Sequence, residues 1–415
     1  MSLRLCMLPL LVVLSVGSVS ADDGFPRLMG MNIGEKNYDD PVYQKQLARM
    51  DIVILGFYRG WGERRSEQPM RDAVRELKRL NPDMLVGQYT LLNEANDDKE
   101  DTAEHDKQHK LDSQDWWLRK AAGERVQWTS QYHAWDINLT DWTRPDDNGD
   151  RYPQWLARRD YRVFFKPVPE FDIWYFDNVM SKQRIASADW KREGKNQAGD
   201  DPRIQQAFRL AQATHWKQAR QLAPERIQMG NADNDLSFPE YKGKLQGVFL
   251  EGLMGYSWSL YSKNGWDGMM GRYHTVFGNL AAPRIVGFNV VGSPRDYRLL
   301  RFALGSCLMN DGYFSFTDAG KGYSSVPWFD EYDVRLGKAI DPPQVKAWRN
   351  GVYRRRFENG MVLVNPGILP RRVAAGEGYA HFRGRQAPQW NNGLPVKSVV
   401  LEGRDGVVLV KRAKK

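Results

Sequence analysis

Cysteine is almost absent, with two residues in 415. Cys6 falls in the N-terminal apolar stretch, which leaves Cys307 without a partner for an internal disulfide. Its setting in "ALGSCLMNDG" marks a buried structural thiol rather than a nucleophile. Long apolar runs are missing too: beyond the first 21 residues none approaches the ~20 residues that a membrane-spanning helix needs. No glycine-rich dinucleotide fingerprint or phosphate loop follows the first strand-like segments, which argues against a nucleotide-binding open sheet. No Gly-x-Ser-x-Gly elbow is present, so serine-hydrolase chemistry lacks support. The stretch "HDKQH" at 105–109 spaces two histidines as a zinc-protease helix does. It carries Asp where that motif has Glu and sits among charges, so the expectation is a solvated helix or loop, with neither metal nor cofactor.

What the chain does have begins with "MSLRLCMLPLLVVLSVGSVSADD": a basic start at Arg4, an apolar run from Leu8 to Val16, and small residues from Ser18 to Ala21. This pattern predicts a secretory signal peptide over 1–21 and a mature protein exported to the periplasm or the extracellular medium. The formal net charge is +9, with "YRRRF" at 353–357 and "KRAKK" at the C-terminus as the densest basic runs. Fifty-one acidic residues are interspersed with the basic ones and no nucleic-acid motif occurs, so no nucleic-acid partner is expected. A diffuse attraction to anionic glycan or the cell envelope fits the charge better. The oligomeric state is not legible.

Eight short apolar segments alternate with helical patterns: 27–34, 51–61, 84–92, 171–179, 226–231, 247–252, 284–291 and 312–318. Between them run stretches such as "QPMRDAVRELKRLN" and "RDYRLLRFALGSCLMND", whose apolar residues return every three or four positions. Eight such units over roughly 300 residues predict an α/β fold, a (β/α)8 TIM barrel spanning 22–344. A long insertion at about 93–165, with "WDINLTDW" at its centre, is expected to roof or line the barrel mouth. From 345 to 415 the pattern changes to a small antiparallel β domain. "GVYRRRFENGMVLVNPG" reads as two strands about Glu-Asn-Gly, and "VKSVVLEGRDGVVLVKR" as two more about Arg-Asp-Gly.

Barrel active sites collect at the C-terminal ends of the strands. In "FDIWYFDNVM" an apolar strand ends on Asp177 and Asn178, and "VFLEG" ends on Glu251. A single carboxylate after a strand commonly starts a loop or caps a helix. Two, each closing an apolar run one strand apart, supply the pair that glycosidic cleavage requires. Asp177 is read as nucleophile or base and Glu251 as general acid. The same strand ends place Asn32, Tyr58, Arg59, Asn231, Asn289 and Asp318 as candidate substrate contacts, with Asn178 orienting a carboxylate or binding a substrate group. Fifteen Trp and 18 Tyr suit sugar faces, and Trp135 with its neighbour Asp136, together with Trp258, are the best placed among polar residues.

The eight-strand order, "FDN" closing the fourth strand, "FLEG" closing the sixth, "WDINLTDW" upstream and "RRRFENGMVLVNPG" near the end together resemble hypothetical glycosyl hydrolase family 15. They are similar to (β/α)8-barrel exopolysaccharide hydrolases. The resemblance spans most of the mature chain and implies a polysaccharide or oligosaccharide substrate. It maps the Asp-Asn pair onto Asp177 and Asn178, and the sixth-strand Glu onto Glu251. The competing reading is a glycan-binding barrel of the cell envelope or of polysaccharide assembly that has lost catalysis.

Overall fold

A computed structural model describes residues 24–412 except 63–65, 99, 132, 233–235, 256–259 and 261–262. The predicted signal segment and Trp258 therefore lie outside the described residues. The chain opens with β1 (Met29–Asn32), α1 (Pro41–Leu47), β2 (Ile52–Leu55), α2 (Gln68–Leu80) and β3 (Leu85–Leu91). The insertion supplies β4 (Glu94–Asn96), α3 (His105–Ser113) and β5 (Ala134–Asp136), followed by α4 (Tyr152–Asp160). Then come β6 (Ile173–Val179), the two-residue strands β7 (Ser187–Ala188) and β8 (Gln197–Ala198), and α5 (Pro202–Leu222). The second half of the barrel is β9 (Ile227–Ala232), β10 (Gly247–Met254), α6 (Gly265–Val276), β11 (Ile285–Gly292), α7 (Tyr297–Cys307) and β12 (Tyr313–Asp318).

Eight of these strands form one parallel sheet in the order β1-β2-β3-β6-β9-β10-β11-β12. A parallel bridge between Leu28 and Phe314 joins its two ends, with Phe314 N donating to Arg27 O at 2.7 Å. The sheet is thus a closed TIM barrel. Alternation along each strand sends Met29, Ile54, Ile173, Tyr175 and Phe249 to the interior. Val53, Trp174, Phe176 and Val248 point out to the helices. With both faces covered, most of the strands read as near-continuous apolar runs, which is why "IWYF" shows no polar alternation.

The helices follow from their own sequences. In α2 a proline occupies the first turn, where no backbone donor is needed, and Met70, Ala73, Val74 and Leu77 bury one stripe. Asp201 caps α5 by accepting from Arg203 N, and Asp296 caps α7 by accepting from Leu299 N. Leu300 to Cys307 of α7 are all buried, Cys307 at 1% exposure, because this helix is covered on two sides.

Its second cover is a five-stranded antiparallel sheet. The strands are β13 (Tyr353–Phe357), β14 (Gly360–Asn365), β15 (Arg371–His381), β16 (Pro395–Leu401) and β17 (Asp405–Lys411), in the order β13-β14-β17-β15-β16. Val362, Val364 and Val408 join the core that contains Phe302 and Leu304 of α7. Arg301 and Asp405, both nearly inaccessible, form an ion pair of 3.0 Å across the junction.

Two expectations are corrected here. β16 and β17 are strands, but they do not pair as a hairpin about Arg-Asp-Gly, because β15 lies between them. β15 itself escaped notice: Gly376 and Gly378 adopt φ of 89° and 84°, and its register with β16 shifts between Ala374 and Tyr379. An irregular, glycine-rich strand loses the alternation by which strands are read. The charged segment around "HDKQH" is also more than a solvated helix, since α3 buries Lys107, Gln108 and Leu111.

Candidate active site

Strand alternation places Tyr175 and Asp177 on the same inner face of β6, the carboxylate uppermost. Asp177 and Glu251 are drawn together by one side chain. The Nδ2 of Asn231, on β9 between them, donates to Asp177 Oδ1 at 3.0 Å and to Glu251 Oε2 at 2.6 Å. Because both oxygens contact the same nitrogen, they are no more than about 5.6 Å apart. Tyr89 from β3 donates its hydroxyl to Asp177 Oδ2, and Tyr323, from the loop after β12, donates to Glu251 Oε1. Burial and the charge of Asp177 push the Tyr89 phenol well above its ordinary value, so it stays a proton donor in that bond.

The pair opens into a cleft of about 700 Å³, lined by Tyr58, Tyr89, Glu94, Trp128, Asp177, Asn178, Arg184, Asn231, Glu251 and Tyr323 among others. Much of its lining comes from the insertion, as the sequence led one to expect. Glu104 and Lys107 near α3 and Arg159 and Asp160 of α4 also line it, the first two as an ion pair and the second two paired at 3.1 Å.

Another part of the insertion is an acidic hairpin holding an aromatic ring. Glu94 of β4 and Asp136 of β5 stand opposite each other in the antiparallel pair. Trp128 binds both: its indole nitrogen donates to Glu94 Oε2 at 2.6 Å and its backbone N–H to Asp136 Oδ2 at 2.9 Å. Burial, with Glu94 beside it, pushes the Asp136 carboxyl up to about 7, while Arg184 and the bond from Trp128 pull it down. Burial raises the Glu94 carboxyl as well, against the bond from Trp128 and the charge of Arg184. The Arg184 guanidinium lies 4.2 Å over the Trp128 ring and donates to Asn178 Oδ1 at 2.8 Å. The ring is held on its edge and on one face.

Of the residues singled out in the sequence, Tyr58, Asn178 and Asn231 share the cleft with Asp177 and Glu251. Others do not reach it. Asn32, 1% exposed, donates to the Tyr43 hydroxyl and Ser325 O and holds α1 against β1. Arg59 turns to Asp106 at 3.6 Å. Trp135 and Asp136 are neighbours on one strand and so face opposite ways. Trp135 packs into the apolar cluster around Trp116 and Trp117, and Asp136 sits behind Trp128. Asn289 is fully buried, and Asp318 is occupied by the turn that follows it, accepting from Gly320 N at 2.8 Å.

Tyr89, Glu94, Trp128, Arg184 and Tyr323 were missed. Tyr89 had a usable signal, since it is an inward position near the end of "LVGQYTL". Tyr323 had none, because it meets Glu251 across 72 residues. Among the described residues, no group of three or more His, Cys, Asp or Glu side chains is arranged to hold a metal ion.

Comparison with known proteins adds the family. None of the curated protein sequences matches the chain. Similar solved structures include the glycoside hydrolase domain of PelA from Pseudomonas aeruginosa, at 13% identity over 73% of this chain and 98% of that one, with a TM-score of 0.46. An α-amylase from Geobacillus thermoleovorans complexed with acarbose matches at 11% identity over 95% and 99%, with a TM-score of 0.49. The model of hypothetical glycosyl hydrolase family 15 matches residues 78–361, more than half of the chain, running from the end of α2 to the start of β14 and including both paired carboxylates. The chain belongs to that family and is a glycoside hydrolase.

Proposed function

We propose that this protein is exported by its N-terminal segment and cleaves O-glycosidic bonds within a polysaccharide, an exopolysaccharide being the favoured class, with Asp177 and Glu251 as the reacting pair. The observation that carries the reading is the single amide of Asn231 shared by the two carboxylates. The bound of about 5.6 Å applies to the two facing oxygens, and it favours a retaining reaction, for which the carboxyl groups stand about 5–5.5 Å apart, over inversion, which needs about 6.5–9.5 Å to seat a water.

In this reaction Asp177 attacks the anomeric carbon as its bond to the leaving oxygen breaks, and Glu251 transfers its proton to that oxygen. Glu251 then takes a proton from a water that attacks the same carbon, and the bond to Asp177 is released. Tyr89 and Asn231 hold Asp177 in line, while Tyr323 and Asn231 hold Glu251. Trp128 lines the cleft and supplies an aromatic surface for a sugar ring farther along it.

The test is a panel of polysaccharides with mass spectrometry of released products, followed by azide rescue of two variants. Glu251→Ala with azide yields a glycosyl azide of retained configuration, and Asp177→Ala with azide one of inverted configuration. Binding without turnover by the parent protein across the panel would favour the glycan-binding reading, and a reversed rescue pattern would exchange the two roles.

A further inference from the structure

The two carboxylates share a backbone peculiarity that their hydrogen bonds do not explain. Each is followed by a residue in the left-handed region: Asn178 at φ 54° after Asp177, and Gly252 at φ 55° after Glu251. Each also sits where its strand slips against a neighbour. Between Phe176 and Val179 β6 carries an extra residue relative to β9, and between Leu250 and Met254 β10 shifts relative to β11. A bulge of this kind bends the strand and re-aims the side chain beside it. Asn is the non-glycine residue that most readily takes a positive φ, and a contact from a neighbouring segment holds it in that conformation.

In both places the surroundings include a buried asparagine from an adjacent segment. Asn93, just after β3 and 5% exposed, donates its Nδ2 to Asn178 O at 2.9 Å. Asn289 of β11, with no exposure, accepts Gly252 N–H on its Oδ1 at 2.9 Å and donates to Thr317 Oγ1 at 2.9 Å. Neither amide lines the cleft. We infer that Asn93 and Asn289 are positioning residues, each fixing the bulge that turns one carboxylate of the pair into the cleft, Asn93 for Asp177 and Asn289 for Glu251. The assignment rests on the proposed roles of Asp177 and Glu251.

The two amides act in opposite senses, and this makes the assignment testable. Asn93 serves as a donor to a carbonyl, whereas Asn289 serves as an acceptor for an N–H. Replacing Asn289 by Asp keeps the acceptor, and replacing Asn93 by Asp abolishes the donor at the same size. A role in packing alone makes the two Asp variants equivalent.

The substrate-free measurement is the crystal structure of each full-length variant. In Asn289→Ala the bond from Asn231 to Glu251 is expected to break while that to Asp177 persists, and Asn93→Ala is expected to do the converse. Unchanged positions of both carboxylates would overturn the inference. Should Asn289→Ala not fold, the near-isosteric Asn289→Leu removes the acceptor for Gly252 N–H without opening a cavity, and displacement of Glu251 is again expected.

On a polysaccharide hydrolysed by the parent, displacement of a carboxylate by ~1 Å lowers kcat by about 100-fold with KM held within about threefold. Asn289→Asp recovers most of that loss and Asn93→Asp recovers none; equal recovery in both overturns the assignment. Asp177→Asn and Glu251→Gln serve as controls. If those two turn over at the parent rate, the reading of the reacting pair has failed. If they are inactive while the asparagine variants keep the parent kcat, only the positioning roles have failed.

Discussion

Asp177 and Glu251 each accept two hydrogen bonds, from a tyrosine and from the shared Asn231, so a near-isosteric amide in either place preserves shape while removing the charge that reacts. Asp177→Asn and Glu251→Gln should therefore fold like the parent, and hydrolysis should fall by about 10³-fold or more. Steady-state kinetics with circular dichroism on the same samples checks both statements. Asp136 carries a different prediction. Burial pushes its carboxyl up to about 7, above its value in an unfolded chain. A group raised in this way supports the fold while it is protonated, fully so below about pH 4, and that support is lost as pH rises through about 7. The loss amounts to a few kcal/mol at most. Asp136→Asn, which cannot ionise, should remove that part of the pH dependence, so urea titrations at pH 4 and pH 8 should differ less in the variant than in the parent.

At the scale of elements, the β4–β5 hairpin turns a charged insertion into a wall of the cleft. Its alternation puts Glu94 and Asp136 on one face and Trp135 on the other, where it joins a hydrophobic cluster. Three-residue strands are too short to announce that alternation in sequence, so nothing local distinguishes the packed Trp135 from the cleft-lining Trp128. Trp128→Ala should raise KM for long oligosaccharides by about 10-fold, the scale of a lost ring-stacking contact, with a smaller change in kcat. Kinetics on a ladder of chain lengths measures this, and an equal effect on the shortest cleaved substrate would place Trp128 at the reacting centre instead. The C-terminal sheet shows the same limit of local reading. Its regular strands β13 and β14 were legible about their Glu-Asn-Gly turn, and the bulged β15 was not.

Across the whole molecule, the barrel and the C-terminal sheet share one core through α7. Removing residues 345–415 would uncover Phe302 and Leu304 and leave Arg301 buried without its carboxylate. The truncated protein should be insoluble or markedly less stable, although every residue of the reacting pair remains. A soluble fragment of parental melting temperature and activity would show the sheet to be dispensable. A finer probe is Asp405→Ala, which strands the Arg301 guanidinium in the junction. It should cost about 3–5 kcal/mol of stability, read from chemical denaturation, as expected when one partner of a buried ion pair is removed.

The sequence by itself determined the eight barrel strands, because strands covered on both faces must be written as short apolar runs, and the positions of Asp177 and Glu251, because a polar residue closing such a run stands at the mouth. It also pointed to the two-strand turn of β13 and β14, whose residues are adjacent in the chain. Only the tertiary structure decided that Leu28 meets Phe314 to close the sheet, that Asn231 joins the two carboxylates and that Tyr323 reaches Glu251. It likewise decided that Asn289 lies beneath the site rather than in it. The division has a physical cause. Periodicity and apolar runs record what each segment does with its own neighbours, whereas these contacts form between residues from 20 to nearly 300 positions apart, and the backbone bends that aim them are set by hydrogen bonds from other strands.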